Sequence, residues 1–412
     1  MKLRWLDEQP LVALLAAVLL FAPLFFRVAA GDPLVPGSHV AGLYQFLVAP
    51  LGDGALLASV LLGVLSALLF ARLVRRLKAE ERRLAVLLFL FNPMTLGIFT
   101  TLGPYTVAIP LALAALLFRG TWPSSVLLVL TALFSPVLGL LLFGGLLLSE
   151  RRVLTIGAAV VAAALILLFH LPVEPIVLAR SALVIAEFGA VSGLSLLYVV
   201  LALLEALLLW REPKSRVFSG LLAVALLASP FSVSARVTAA FLATVLAARF
   251  MSRLLRRKWQ LPEARAVTVI LVGCSFLFLL IAQTVAIVDA QPTHELVATL
   301  HSLPADDGVI LAPPALGYTI ERLTDHPALL HDCSQERGLC DDAASLYRSW
   351  RLKDAEAVLN RYGIRYLLIT QAERDGLVWT QDEEGLLFLL AHSDRFHLLA
   401  QDPQEQLWVY AP

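Results

Sequence analysis

Apolar runs of membrane-crossing length recur from residue 11 to residue 288, and the short segments between them carry most of the basic side chains. A hydrocarbon core of about 30 Å is crossed by about 20 helical residues, so this pattern fixes the class of protein before any motif is read. Backbone polar groups in lipid are satisfied only in helices or closed barrels, and unbroken runs of this length are helices. A mean hydropathy of +0.80 agrees with an integral membrane protein. Formal net charge is zero, yet the charges are unevenly spread: bases exceed acids up to about residue 289, and the tail to residue 412 holds most of the acids. That change predicts a transmembrane domain over 1–289 and a water-facing domain over 290–412. Bases confined to short loops set topology, so no nucleic-acid partner is expected.

The topology follows from where those bases fall. Residues 11–26 form the first span; Val28-Ala29-Ala30 loosely resembles a signal cleavage site, but Arg27 and the spans that follow argue for a retained helix. Residues 55–74 form the second, and the cluster Arg72, Arg75, Arg76, Lys78, Arg82 and Arg83 after it marks the inside. Residues 84–101 and 104–118 make a hairpin closed on the inside by Arg119. The run 124–148 is one span or a hairpin broken at Ser135-Pro136; the hairpin keeps Arg151 and Arg152 inside, and proline removes a backbone donor there. Spans over 153–171, 192–210, 217–228, 235–250 and 266–288 complete about eleven crossings. Only Arg27, Arg180 and Arg236 are basic on the outer side. The amino end is therefore expected in the cytoplasm and the tail outside the cell membrane.

In the tail, residues 293–302 read as helix, 308–312 and 364–369 as buried strands, and 328–330 as a weaker strand. An amphipathic helix over 353–362 stops at Gly363, another helix covers 383–392, and 396–400 with 407–410 make a closing hairpin. This is a small α/β domain. Cys274 sits within an apolar run and reads as a packing residue. Cys333 and Cys340 flank a short loop, where a disulfide and a pair of free thiols both fit.

Carboxylates are scarce in the outward loops of the membrane body: Asp32, Asp53, Glu174 and Glu187 are the four. Transfer of a sugar from a lipid phosphate needs a divalent cation on the phosphate or a base on the acceptor, and carboxylates at the interface serve both. Asp32 and Glu187 are placed for those roles; a solvated loop acid is the competing reading. Arg236 stands at the outer end of a span beside Ser232 and Ser234. A guanidinium there is costly unless paired, and a lipid phosphate or pyrophosphate is its bidentate partner, with snorkelling to headgroups the alternative. Glu205 lies near the inner end of its span and reads as reaching the interface.

Val184-Ile185-Ala186-Glu187 resembles the TIxE or SVSE motif in the fifth outer loop of oligosaccharyltransferase catalytic subunits, the archaeal type especially. In the same order, the segment Pro36 to Tyr44 resembles the first-loop region, and Asn92-Pro93 through Leu111 the hairpin carrying the second acidic loop. In the tail, Pro313 to Ile320 sits where the WWDYG acceptor motif is expected, with Gly317-Tyr318 matching its end. The resemblance implies a GT-C fold, mostly α, with a polytopic helix bundle and a small extracytoplasmic α/β domain. It implies a donor linked to polyprenyl phosphate and a protein acceptor. The cation it implies is manganese or magnesium, held by Glu187 and Asp32. Arg236, His39, Tyr44, Tyr105, Gly317 and Tyr318 fall in its substrate-binding segments. The sequence also departs from the pattern: His39 replaces an acid, the loop 100–105 has none, and Pro313, Pro314 and Ala315 replace the tryptophans and aspartate of WWDYG. Two functions follow as alternatives, a membrane glycosyltransferase and a degenerate scaffold or binder of lipid-linked glycan.

Overall fold

The computed structural model describes residues 9–30, 55–100, 103–147, 152–168, 184–188, 193–210, 213–257, 262–289, 293–304, 306–324, 326–331, 337–374, 384–401 and 405–411. It divides into a helical unit that runs to Ala290 and a second unit from Gln291 to the end. Helices α1 (Gln9–Ala30), α2 (Ala55–Leu73), α3 (Ala79–Leu90), α4 (Pro93–Thr100), α5 (Pro104–Leu117) and α6 (Trp122–Phe134) open the first unit. It continues with α7 (Pro136–Leu147), α8 (Arg152–Leu168), α9 (Leu196–Leu209), α10 (Pro213–Ala228), α11 (Val233–Arg256) and α12 (Pro262–Asp289). Among the described residues, three helices are long and apolar enough to cross a membrane (56–76, 233–256 and 265–288), and the bent pair α3–α4 makes up to four. The remaining apolar helices are shorter.

Helix α11 is the axis of this unit, packed against α3, α7, α9 and α10. Its small residues Ala239, Ala240, Ala243, Ala247 and Ala248 are fully buried, which lets neighbouring backbones approach closely, as helices in lipid require. Helix α3 runs antiparallel to it. Arg256 Nε meets Glu80 Oε2 at 2.6 Å, and Asn92 Nδ2 donates to Thr244 Oγ1 at 2.8 Å. Asn92 is as far along from Glu80 as Thr244 is back from Arg256, so the register is kept along the whole contact. Phe70, Phe89 and Phe241 stack between α2, α3 and α11, with 4.4 Å between the first two rings.

Two expectations about breaks meet different fates. The break at Ser135-Pro136 is there: Ser135 leaves helical geometry (φ −147°, ψ 93°). Chain reversal is tight, since a Cβ on Gly139 would lie 2.5 Å from Ala132 Cβ. The single span expected over 84–101 is instead two helices bent by 46° at Phe91–Asn92. Pro93 cannot donate to the preceding turn, and the Asn92 side chain caps the new helix by accepting from Met94 N–H at 2.9 Å.

Two side chains are also corrected. Glu205 does not reach the interface: it is fully buried, 3.2 Å from Arg253 Nη2 and 3.6 Å from Arg249 Nε. Cys274 does not pack inside the unit but is exposed on α12, as a free thiol. That helix presents most of its apolar surface outward, including Phe278 and Leu271, as a lipid-facing helix does.

The second unit is built on a four-stranded sheet of β1 (Val309–Leu311), β2 (Ile364–Thr370), β3 (Phe396–Gln401) and β4 (Glu405–Tyr410), in the order β1-β2-β4-β3. Strands β1 and β2 are parallel; β4 is antiparallel to β2 and to β3. The apolar run of β2 is explained by cover on both faces. Leu367 and Ile369 face Leu346, Leu359 and Leu386; Tyr366 and Leu368 face Leu296, Leu300 and Ile320. The covering helices are α13 (His294–His301), α14 (Gly317–Leu323), α15 (Arg337–Tyr347), α16 (Leu352–Tyr362) and α18 (Gly385–His392), with a single turn, α17 (Gln371–Arg374), after β2. Helix α16 ends at Gly363, whose φ of +64° is left-handed. The strand expected at 328–330 is only a bridge from Ala328 to Ile310, and α15 begins at Arg337, inside the segment between Cys333 and Cys340 read as loop. Cys340 on α15 is disulfide-bonded; Cys333 lies outside the described residues.

Candidate functional site at the end of the bundle opposite the basic cluster

Glu205 sits near the carboxyl end of α9, and its partners Arg249 and Arg253 sit near the carboxyl end of α11. The two packed helices therefore run in the same direction; at 1.5 Å per residue α9 starts about 13.5 Å before Glu205 and α11 about 24 Å before Arg249, so α11 extends past the start of α9. Arg236, in the first turns of α11, is about 25 Å from Arg253 at 1.5 Å per residue. Glu187 precedes α9 and is bonded to its first turn. The sequence-predicted Arg236 and Glu187 thus both lie toward the amino ends of their helices, away from Arg249, Arg253 and Arg256, with Arg236 the farther out.

The segment around Glu187 is a closed turn. Ala186 N–H donates to Leu194 O at 2.9 Å, and Leu194 N–H donates to Val184 O at 2.7 Å. This folds the Ala186–Phe188 turn back onto the start of α9. Glu187 Oε1 accepts from Ser195 Oγ–H at 2.8 Å and from Leu197 N–H at 3.4 Å, and Oε2 accepts from Leu196 N–H at 2.9 Å. A carboxylate on the unsatisfied donors of a helix start also meets the positive end of the helix dipole, for about 0.3–1 kcal/mol. Ser195 and the open N–H groups of α9 are the partners that sequence reasoning missed. The contact spans eight or more residues, so it leaves no capping-box signature.

Arg236 is buried on α11, one turn after Ser232, whose Oγ caps the helix by accepting from Ala235 N–H at 3.3 Å. On the opposite face, about 200° round the helix from Arg236, Tyr105 Oη and Ser234 Oγ are 2.9 Å apart, and Ser135 Oγ and Ser234 Oγ 3.1 Å apart. This hydroxyl chain ties the start of α5, the α6–α7 break and the start of α11 together. Tyr105 and Arg236 thus share one end of the unit, on elements pinned to each other. Ser135 was legible as a break but gave no signal of this contact.

Asp32, His39 and Tyr44 lie outside the described residues. Gly317 and Tyr318 open α14 in the second unit. A Cβ at Gly317 would lie 2.0 Å from Leu330 O, so only glycine permits this approach of α14 to the Leu330–His331 backbone. On the same helix, Glu321 Oε1 meets His331 Nε2 at 2.9 Å. Beside β1, Asp306 accepts from Gly308 N–H at 3.0 Å and Tyr366 Oη–H at 2.7 Å, and it pairs with Arg365 at 2.8 Å. Burial pushes its carboxyl up, but those bonds and the Arg365 and His326 side chains outweigh it and hold it below the usual range.

A divalent cation wants about six oxygen ligands. Glu187 has spent three of about four acceptor directions on protein donors, and no group of three or more His, Cys, Asp or Glu among the described residues could hold a metal. The described side chains therefore do not fit a metal site.

A helical bundle followed by a small mixed-sheet unit is the architecture of the oligosaccharyltransferase-like GT-C fold, and the chain has that fold. It is similar to the archaeal oligosaccharyltransferase AglB from Archaeoglobus fulgidus in complex with an inhibitory peptide and a dolichol-phosphate, with a TM-score of 0.52 and 11% identity over 88% of this chain and 69% of that one. The apo form of the Archaeoglobus fulgidus enzyme gives a TM-score of 0.50 and 12% identity, over 95% and 73% of the two chains. A form tethered to an acceptor peptide gives 0.49 and 10%, over 95% of this chain and 65% of that one, just under two thirds of its length. No family profile and no curated protein matches the chain. At these identities the likeness is one of fold.

Proposed function

We propose that the protein is a multi-pass membrane glycosyltransferase that takes sugar from a polyprenyl-phosphate-linked donor and passes it to an acceptor, a protein side chain being the class its fold neighbours suggest. The chemistry is assigned to the end of the bundle bearing Glu187, Tyr105 and Arg236, which is taken as extracytoplasmic, with the amino terminus in the cytoplasm. The 290–412 domain is taken as extracytoplasmic, and the disulfide at Cys340 supports an oxidising compartment for it. The observation that supports the reading is the shared direction of α9 and α11, which leaves the buried Arg236 and the motif carboxylate Glu187 both on the side of Glu205 away from Arg253.

Arg236 is the contact for the donor phosphate: its forked donors match two phosphoryl oxygens, and the amino end of α11 adds its dipole. Glu187, with one acceptor direction remaining, contacts the acceptor while holding α9 in place. Asp32 is the candidate second acid, and His39, Tyr44, Gly317 and Tyr318 are assigned to substrate binding by the resemblance of their segments. No step is routed through a metal.

A second reading, a binder of lipid-linked glycan without transfer, is favoured by the engagement of both Glu187 oxygens in capping and by the absence of acids from the loop 100–105. Turnover of a polyprenyl-phosphate-linked sugar, measured with and without manganese or magnesium, separates the two. Transfer that falls on Arg236→Gln and on Glu187→Gln supports the first. Donor binding without turnover, lost in Arg236→Gln alone, supports the second. Equal activity in the native protein and both variants removes the assigned roles.

A further inference from the structure

The opposite end of the helical unit carries a feature that the transfer reading does not use. Chain segments distant in sequence bring their bases to one face there. Arg75, Arg76 and Lys78 follow α2 and are exposed, and Arg253, Arg256 and Arg257 close α11 and are exposed as well. The antiparallel contact of α3 with α11 joins the two groups, fastened by Arg256 to Glu80 at 2.6 Å. Acids on this face are few. Glu80 and Glu81 lie in the first turn of α3, where they also complement the helix dipole, and Glu205 is fully buried between α9 and α11. The face therefore keeps a strong positive excess.

A second observation selects the partner. Trp210, just past α9, is 56% exposed, and Trp122, in the α5–α6 turn, is 72% exposed. Trp210 lies five residues beyond Glu205 and so belongs to the basic end. The α5–α6 turn lies one helix length from the Tyr105–Ser234 contact, toward that same end, and Ser124 Oγ–H holds it by donating to Ala115 O at 2.9 Å. Exposed tryptophans at the ends of apolar helices mark the membrane–water boundary, where their amphipathic rings settle. Arginine and lysine at that level meet lipid phosphates, and guanidinium groups grip them with two parallel bonds. An acidic protein or an RNA would answer the charge but not the two exposed tryptophans at the ends of apolar helices.

We propose that this basic face binds the anionic headgroups of the leaflet in which α2 and α11 end, with Arg75, Arg76 and Lys78 as the principal contacts. The inference is independent of the transfer reading.

The test uses the full-length protein in nanodiscs of phosphatidylcholine and phosphatidylglycerol in equal parts, released into native mass spectrometry to count retained lipids. Retention enriched in phosphatidylglycerol is expected for the native protein, and it weakens as salt rises because exposed charges are screened. Arg75→Gln, Arg76→Gln and Lys78→Gln together lower that enrichment by on the order of a hundredfold, from about 1 kcal/mol per basic residue at about 1.4 kcal/mol per tenfold. Arg348→Gln with Arg351→Gln, which removes equal-sign charge from the second unit, leaves it intact. No enrichment in the native protein, or an enrichment indifferent to the triple change, overturns the proposal. So does preferential binding of RNA or polyglutamate at physiological salt that phosphatidylglycerol vesicles fail to compete. If the triple variant does not fold, the salt series on the native protein decides.

Discussion

Replacing Glu205 and removing its arginines have opposite consequences, although both erase the same ion pairs. Glu205 is 0% exposed, whereas the side chains of Arg249 and Arg253 are 29% and 44% exposed. At 3.2 Å, with an effective dielectric of about 20, one such pair is worth roughly 5 kcal/mol of Coulomb attraction. Most of that offsets the desolvation of the carboxylate. In Glu205→Leu the desolvation cost vanishes with the attraction, and both guanidinium groups swing to water on their long stems. The expected change is within about 1 kcal/mol, or a gain, as when buried ion pairs are replaced by well-packed apolar residues. With Arg249→Ala and Arg253→Ala the carboxylate stays buried and loses both guanidinium partners, and the expected loss is about 3–5 kcal/mol. Thermal unfolding of the full-length protein in detergent reads the difference as a midpoint several degrees lower for the double arginine variant and near native for Glu205→Leu. Equal destabilisation by both would refute the reasoning, since it would mean that the attraction outweighs the burial penalty.

Burial pushes the Glu373 carboxyl up to about 7, against lowering by the Thr370 N–H and Tyr347. Because its folded value is raised, its stabilising contribution is complete below about pH 4.5 and is lost as pH climbs toward 7, by at most about 3 kcal/mol. Glu373→Gln flattens the unfolding midpoint across that window; parallel curves would exclude the assignment. Asp306, held low, acts with the opposite sign and below this range. Gly317→Ala forces Leu330 O away from a Cβ that would lie 2.0 Å from it, at a cost of about 1–3 kcal/mol. Faster amide exchange around residues 328–331 is the expected readout, and native exchange there would show that the backbone yields freely.

Much of the fold was legible because its signals are local. The Ser135-Pro136 break, the stop at Gly363 and the closing hairpin each follow from the chemistry of a few adjacent residues. The bend at Asn92 was masked by an apolar run that continues through Pro93, although that proline is itself the signal. The start of α15 was hidden because Cys333 and Cys340 suggested a short loop over 334–339, whereas the helix already begins at Arg337. Glu205 was misplaced since periodicity tells which face of a helix is apolar and not which helix it meets. The common direction of α9 and α11, with Glu187 and Arg236 near their starts on one side, was legible from the alternation of spans; the contact of Glu205 with Arg249 and Arg253 that packs the two helices together was not.

Helix α9 is tied to its neighbours at two heights: the Tyr198 hydroxyl donates to Leu88 O at 2.8 Å, and Glu205 near its finish meets Arg253 Nη2 at 3.2 Å. Glu187 caps the start of the same helix and would travel with it. A slide of one turn, about 5.4 Å, would therefore have to undo a hydrogen bond to α3 and an ion pair to α11 at once, so the three helices resist shear against one another.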